Sequence, residues 1–274
     1  MTEPSTTTAA KAAAPLGTRS DCWLPAEEGG LLAGDPEAFP ATPPPSLHDP
    51  RAIAAHDWSA FEAIAEMKNH WDRPGWTDTT RAYYWMITFP GPSALADLAQ
   101  RCKHDLRHLA LDPIEQDGLH LTMGRIGLTS DITHRQLDGL AANAADLMGS
   151  AFTLQAVPLT ASRGAIRFTV APWHPLIAMH AALSTAGVRS GIPMGKPTSS
   201  LRPHIGIGYF NRPTPAAPVR DAIRPLRRLA AVDVLVHQVR LVELRRESRT
   251  YRWQTVHSVS FFRPITDRVM DGGA

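Results

Sequence analysis

Apolar positions follow helical and strand-like spacing in turn from about residue 56 onward. A period of three to four residues predicts helices over 56–70, 94–109, 132–148, 175–186 and 216–229. Runs rich in aromatic and β-branched residues predict strands over 81–89, 119–126, 152–157, 165–170, 203–209, 232–244 and 251–261. This mixture predicts an α+β fold with mostly antiparallel sheets. Ser93 and Asp131 are the expected N-caps of the second and third helices.

The predicted elements form two similar series. One runs from 94 to 157 and the other from 175 to 244, each in the order helix, strand, helix, strand. The two series share no clear residue identity, so the repeat is architectural. We therefore expect one bilobal domain with pseudo-two-fold symmetry over residues 51–264, with two sheets and flanking helices around a central cleft.

The two ends of the chain have a different character. Nine of the 24 prolines fall within residues 1–50, and this stretch has no sustained apolar period. We expect residues 1–50 to be disordered or loosely draped, with local docking by residues such as Trp23, Leu31 and Leu32. Residues 265–274 are expected to form a disordered tail.

Composition narrows the class of protein. With 274 residues, 43% of them hydrophobic, the chain can bury a substantial core, which excludes wholesale disorder. A formal net charge of +2 excludes nucleic-acid binding driven by bulk charge, although a local basic patch is compatible with it. The N-terminus lacks the apolar segment of a signal peptide, and no uncharged apolar run approaches 18 residues. These features predict a cytoplasmic protein without membrane contact.

The first of two histidine-bearing strands reads His120-Leu-Thr122-Met-Gly124. Because side chains alternate along a strand, His120, Thr122 and Gly124 are expected to share one face. The apolar residues between them form the opposite, core face, and Arg125 is expected on that side. A histidine heading a small or polar face is unusual for a solvent-facing strand.

The second strand reads His204-Ile-Gly206-Ile-Gly208. Alternation again predicts a shared face for His204, Gly206 and Gly208, and two glycines there leave room for a ligand. Tyr209 is expected on the apolar face, in the core. Either histidine alone is better explained as a structural residue. The pair at equivalent places in the two series favours a shared site, because imidazole can act as acid or base near neutral pH.

These strands resemble the two H-x-[ST]-x motifs of the 2H phosphoesterase superfamily. His120-Leu-Thr122-Met matches fully, whereas Gly206 departs from the second motif, which has a hydroxyl residue there. The segment from His70 to Trp76 and the Arg202-Pro-His204 run extend the resemblance to the 2′-5′ RNA ligase-like branch, over about 65–262. The resemblance implies that His120 and His204 are the catalytic acid–base pair and that Thr122 and position 206 bind phosphate.

The implied function is that of a metal-independent phosphodiesterase on 2′,3′-cyclic or 2′-5′ linked ribonucleotides or RNA ends. It needs no cofactor, and the sequence indicates no obligate protein partner. The missing hydroxyl at Gly206 leaves two alternatives open: a nucleotide- or RNA-binding protein without turnover, and an enzyme for a bulkier substrate. Which histidine is the base also stays open.

Other residues are weaker candidates. Lys196, Arg202 and Gly208 are expected as possible substrate contacts, the first because it lies in a Gly/Pro/Ser-rich loop before the second motif. His104 and His108 have zinc-like spacing but lack an accompanying glutamate, so a solvated helix face is favoured over a metal site. Nine arginines within 220–252 are better explained by a solvated surface than by a phosphate track, which is the alternative.

Overall fold

The computed structural model describes residues 32–109 and 111–262, and it is an α+β structure, as predicted. The helices are α1 (Pro50–Glu62), α2 (Ala94–Asp105), α3 (His134–Leu147), α4 (His174–Arg189) and α5 (Ala216–Ile223). The strands are β1 (Glu66–Met67), β2 (Arg81–Thr88), β3 (Leu111–Pro113), β4 (His120–Leu128), β5 (Phe152–Ala161), β6 (Ala165–Ala171), β7 (His204–Phe210), β8 (Thr214–Pro215), β9 (Val232–Val236), β10 (Gln238–Glu247) and β11 (Thr250–Ser260).

Two antiparallel sheets carry the two histidine strands, one each. The four-stranded sheet has the order β11-β10-β2-β4, and the five-stranded sheet has the order β3-β7-β6-β5-β9. The strands β1 and β8 form a separate short pair. The four-stranded sheet curls so strongly that the ring of Trp253 on one edge strand lies 5.3 Å from the ring of His120 on the other. The first motif therefore lies on a concave surface.

The chain changes sheets where one continuous strand was expected. β9 ends at Val236 on the edge of the five-stranded sheet, and β10 begins at Gln238 in the four-stranded sheet. The predicted strand over 232–244 is therefore two strands separated by His237. The spacing of apolar residues is the same in one long buried strand as in two successive buried strands, so the spacing does not reveal the break at His237. The last strand of each predicted series, β5 and β9, lies in the five-stranded sheet.

Helix starts follow local side-chain caps. Ser93 caps α2, as predicted, by accepting a hydrogen bond from the backbone N–H of Ala96. The predicted cap at Asp131 is wrong, because Thr133 caps α3 in a capping box with Gln136. α1 begins earlier than predicted, where the Asp49 side chain accepts from the backbone of the next turn and Pro50 occupies the first helical position.

The described part of the N-terminal head packs on the domain, contrary to the expectation of a loosely draped segment. Leu32 is buried, as expected, while Trp23 and Leu31 lie outside the described residues. The Arg202 guanidinium donates to the carbonyl oxygens of Ala33, Pro40 and Ala41. These hydrogen bonds to a distant residue hold the segment in place. The prediction missed them because it used only the composition of the segment. The remaining head, residues 1–31, and the tail lie outside the described residues.

One continuous hydrophobic core joins both sheets to their helices. α1 lies against β5 and β6, while α3 packs on α4 and β11. A smaller apolar cluster of Met86, Val242 and Leu244 lines the concave face of the four-stranded sheet. None of the helices among the described residues is long and apolar enough to cross a membrane.

Candidate active site

Both motif histidines are held in the same way at the start of their strands. The Nδ1–H of His120 donates to the carbonyl oxygen of Gly118 at 2.8 Å. The Nδ1–H of His204 donates to the carbonyl oxygen of Arg202 at 2.9 Å. A carbonyl oxygen only accepts, so these bonds place the proton of each neutral imidazole on Nδ1. Each Nε2 is left with a lone pair for proton transfer.

The strands β4 and β7 are in contact, and the His120 imidazole is close enough to affect the pKa of His204. Burial, together with the charges of Arg167 and His120, lowers the pKa of His204 to about 3. Burial also lowers the pKa of His120, outweighing its hydrogen bond to Gly118. Both imidazoles are therefore neutral at pH 7 in the free protein. An anionic group between them would favour protonation of one.

Thr122 shares the concave face with His120. In the antiparallel pairing, His120 lies opposite Thr88 and Thr122 lies opposite Met86, two residues apart on one face of β2. Residues directly opposite each other project from the same face of a sheet. Thr122 is exposed, so its hydroxyl is available to a ligand beside the imidazole.

A bulge in β4 changes which residues follow Thr122 on this face. Gly124 pairs with Trp85 and Arg125 pairs with Tyr84, so one extra residue separates Thr122 from the next inward position. The expectations for Gly124 and Arg125 are therefore wrong. A Cβ at Gly124 would collide with Met194 on the opposite side. Arg125 instead joins the concave face and lowers the pKa of Tyr84, although burial raises it overall.

A second bulge alters β7 in the same manner. Gly206 lies opposite Arg167, whereas Gly208 lies opposite the adjacent Ile166. The extra residue moves Gly208 off the histidine face, where a Cβ would contact Leu111 of β3. The predicted role of Gly208 in the site is therefore wrong. Tyr209, expected in the core, takes the inward position instead, because it pairs with Ala165 on the same face of β6 as Arg167.

The other two expected substrate contacts interact with the N-terminal segment. Arg202 is 7% exposed, and each nitrogen of its guanidinium donates to a backbone carbonyl oxygen. It holds the N-terminal segment and is not free for substrate. Lys196 is exposed and contributes a favourable charge to Asp35 of that segment.

His70 is a third histidine of the site, and the motif pattern assigned it no role. Its ring stacks on Tyr209 with centroids 3.8 Å apart, and its Nε2 lies 3.2 Å from the Tyr251 hydroxyl. Burial, followed by the charge of Arg73, lowers its pKa to about 2, with smaller contributions from both motif histidines. His70 is thus a neutral residue beside the pair. His70 lies in the segment before β2 that extends the family resemblance, and this position could have indicated that His70 belongs to the site.

A buried polar network lies beside His204, on the same face of β6 and β7. Asp57 of α1 accepts a 2.7 Å hydrogen bond from the Thr169 hydroxyl, and its other oxygen lies 3.3 Å from Nη2 of Arg167. Thr169 lies directly opposite His204, and Arg167 lies opposite Gly206. Both members of the ion pair are essentially inaccessible to solvent. The network fixes the strand that carries His204 and places a cation beside it.

Positive charge around the site is partly neutralised. In the hairpin between β10 and β11, Arg252 pairs with Asp117 at 3.3 Å and Arg245 pairs with Glu247 at 2.6 Å. Paired arginines are weaker phosphate ligands than free ones, so this hairpin is a poorer phosphate track than the sequence alone allows. Arg73 is exposed and lowers the pKa of His204.

No group of three or more metal-ligating side chains occurs within the part of the chain that the structure describes. His104 and His108 are exposed, on α2 and just after it. The groups that the site offers for chemistry are the two imidazoles and the hydroxyl and guanidinium groups around them.

Comparison of the sequence with models of known families shows to which family the chain belongs. A family model described as the 2′-5′ RNA ligase superfamily matches residues 91–248. The chain belongs to the 2′-5′ RNA ligase superfamily. This confirms the resemblance to the 2′-5′ RNA ligase-like branch of the 2H phosphoesterases. The superfamily comprises phosphoesterases and ligases, so the coarse expectation of an enzyme acting on phosphoesters is supported.

Several solved structures are similar to this member of the superfamily. E. coli LigT complexed with 3′-AMP has 18% identity and a TM-score of 0.49, covering 66% of this chain and 98% of its own. TT0787 of Thermus thermophilus has 14% identity and a TM-score of 0.49, covering 66% and 97%. The MHV ns2 PDE domain has 14% identity and a TM-score of 0.36, covering 57% and 97%. No curated protein matches the sequence. Asp57 and His70 precede the residues that the superfamily model matches.

Proposed function

We propose that this protein is a phosphodiesterase that opens 2′,3′-cyclic or 2′-5′ linked phosphodiesters of ribonucleotides by His/His acid–base catalysis, without a metal ion. The observation that carries the proposal is the matched pair His120 and His204. Each has its Nδ1 proton bound to the carbonyl two residues upstream and its Nε2 open. Membership of the superfamily supports phosphoester chemistry, and the geometry supports the division of labour between the two imidazoles.

The proposed reaction transfers two protons. A water molecule attacks phosphorus while the neutral Nε2 of one histidine takes its proton. The protonated Nε2 of the other donates to the departing ribose oxygen, so that one P–O bond forms and one breaks. The product from a cyclic substrate is a nucleoside 2′- or 3′-monophosphate. Thr122 donates a hydrogen bond to a non-bridging oxygen during the charge build-up.

The lowered pKa of each histidine in the free protein fits this scheme. The base must be neutral, and burial already ensures that for His204, whose pKa is lowered to about 3. The acid must be protonated, and the bound phosphodiester supplies the negative charge that favours this. Substrate binding and proton uptake are therefore coupled in the proposed cycle.

A substrate panel tests the proposal. The purified protein is incubated in EDTA with 2′,3′-cyclic and 3′,5′-cyclic nucleotides and with 2′-5′ and 3′-5′ linked dinucleotides, and products are separated by chromatography. We expect turnover of the 2′,3′-cyclic or 2′-5′ linked compounds, and none with the variant carrying His120→Ala and His204→Ala. Turnover that survives in this double variant contradicts the proposal. Nucleotide binding without turnover favours the non-catalytic alternative.

A further inference from the structure

Gly206 leaves the second half of the site without the hydroxyl that Thr122 supplies in the first half. We propose that the phenolic hydroxyl of Tyr209 is the second phosphate donor, taking the place of the missing side chain at position 206. This inference rests on the proposed function, because it assigns a residue to the same phosphate site.

The bulge in β7 brings Tyr209 to Gly206. Without the extra residue, Tyr209 would project into the core with Ile205; with it, Tyr209 and Gly206 project from the same face as His204. A Cβ placed on Gly206 would lie 3.9 Å from the Tyr209 hydroxyl oxygen. The phenol therefore ends next to the space that a motif hydroxyl would fill.

The space at position 206 is limited, which links the glycine to the tyrosine. A Cβ at this position would also lie 3.1 Å from Cδ1 of Ile114, which is closer than ordinary van der Waals contact. A threonine there would add two further heavy atoms between Ile114 and the phenol. The glycine therefore leaves space for the Tyr209 side chain. It lacks the motif hydroxyl, but it allows the Tyr209 hydroxyl to lie in that region.

The phenol ring is held rigidly. His70 stacks on it with an interplanar angle of 22°, and Trp71 and Tyr251 contact it edge-on with centroids 5.3 and 5.7 Å away. A donor that is already fixed in place loses little conformational entropy when it binds an anion. His70 and Trp71 precede the residues that the superfamily model matches, so this support comes from outside the matched segment.

The hydroxyl is available as a donor. Nothing in residues 32–109 or 111–262 forms a hydrogen bond with it, while the Tyr251 hydroxyl is bonded to His70. Burial raises the pKa of Tyr209, and Tyr251 raises it further, so the phenol keeps its proton at neutral pH. A protonated, unpaired hydroxyl beside an imidazole is suited to a non-bridging phosphate oxygen.

The test removes only the oxygen. Tyr209→Phe keeps the ring contacts. Tyr83→Phe is the matched control, because Tyr83 pairs with Gly127 and is buried on the face of β2 that points away from the site. We expect Tyr209→Phe to lower kcat/KM for the cyclic substrate about 10- to 100-fold, the scale of one hydrogen bond to a charged group. Tyr83→Phe should change it less than about threefold. Melting temperatures confirm that both variants fold.

Two further measurements keep the inference decidable. Gly206→Ser in the Tyr209→Phe background should recover part of the lost activity, whereas Gly206→Ser alone should give no gain. Inorganic phosphate, titrated calorimetrically, should bind Tyr209→Phe more weakly than wild type even if no substrate of the panel is turned over. Wild-type turnover together with unchanged kcat/KM in Tyr209→Phe overturns the tyrosine assignment and leaves the proposed function standing. A protein that neither turns over the panel nor binds phosphate overturns both.

Discussion

Replacing Asp57 by alanine should destabilise the protein strongly. Asp57 is fully buried, pairs with Arg167 at 3.3 Å and accepts a 2.7 Å hydrogen bond from Thr169. Its removal leaves the Arg167 cation buried without a counter-ion, in contact with the carbonyl oxygen of Phe39 at 3.5 Å and with the Phe39 ring. Removing one partner of a buried ion pair costs about 3–5 kcal/mol. For a chain of this size that corresponds to a fall in Tm of roughly 6–20 °C.

Urea denaturation at pH 7.5, monitored by circular dichroism, measures this loss. Asp138→Ala is the control, because Asp138 pairs with His257 at 3.0 Å on the surface, where its side chain is 70% exposed. An exposed pair contributes about 0–1 kcal/mol. The double variant Asp57→Ala/Arg167→Met should be more stable than Asp57→Ala alone, since it removes the unpaired cation. If Asp57→Ala costs no more than Asp138→Ala, the buried pair does not make the contribution assigned to it.

Three further outcomes follow from the same structure. Thr122→Val should lower kcat on the cyclic substrate about 10- to 1,000-fold in steady-state assays, with Tm unchanged, and wild-type kcat would exclude its hydroxyl from the site. Burial lowers the pKa of His180 to about 4, below the unfolded value, so its stability contribution is present near pH 7 and is lost as pH falls. His180→Gln should therefore lose about 2 kcal/mol less unfolding free energy than wild type between pH 7 and pH 5 in urea titrations, and identical losses would contradict this. Arg202→Ala should make residues 33–41 sensitive to limited proteolysis, whereas wild-type resistance would show that its hydrogen bonds do not hold the segment.

The sequence predicts much of the fold because burial imposes periods that can be read from it. The strands carrying His120 and His204 occur where alternation placed them, and Thr122 shares the face of His120. These features depend on local spacing and on which positions are apolar. Membership of the 2′-5′ RNA ligase superfamily agrees with the resemblance that the two motifs carry.

The errors about which residues face the site have a common physical origin in β-bulges. Alternation places Gly208 inward and Tyr209 in the core, and one extra residue in β7 reverses both. The same event in β4 exchanges Gly124 and Arg125. A bulge is fixed by pairing with a neighbouring strand that is distant in sequence, so the strand's own residues do not reveal it.

Long-range contacts account for the remaining omissions. Asp57 and Arg167 are 110 positions apart, and His70 reaches Tyr251 over 181 positions. Arg202 holds the described part of the head through a hydrogen bond to Ala33, 169 positions away in the sequence. Interactions of this kind depend on the tertiary arrangement, so a periodic pattern in the sequence does not predict them.

The non-additivity of the two histidine substitutions tests the proposed acid–base pair most directly. kcat/KM on a 2′,3′-cyclic ribonucleotide is measured in EDTA for wild type, His120→Ala, His204→Ala and the double variant, with Tm as the check on folding. Because the pair acts as a unit, each single variant should lose about 10²–10⁴-fold, and the double variant should be little worse than either. A folded single variant that keeps more than about a tenth of wild-type kcat/KM would contradict the assignment.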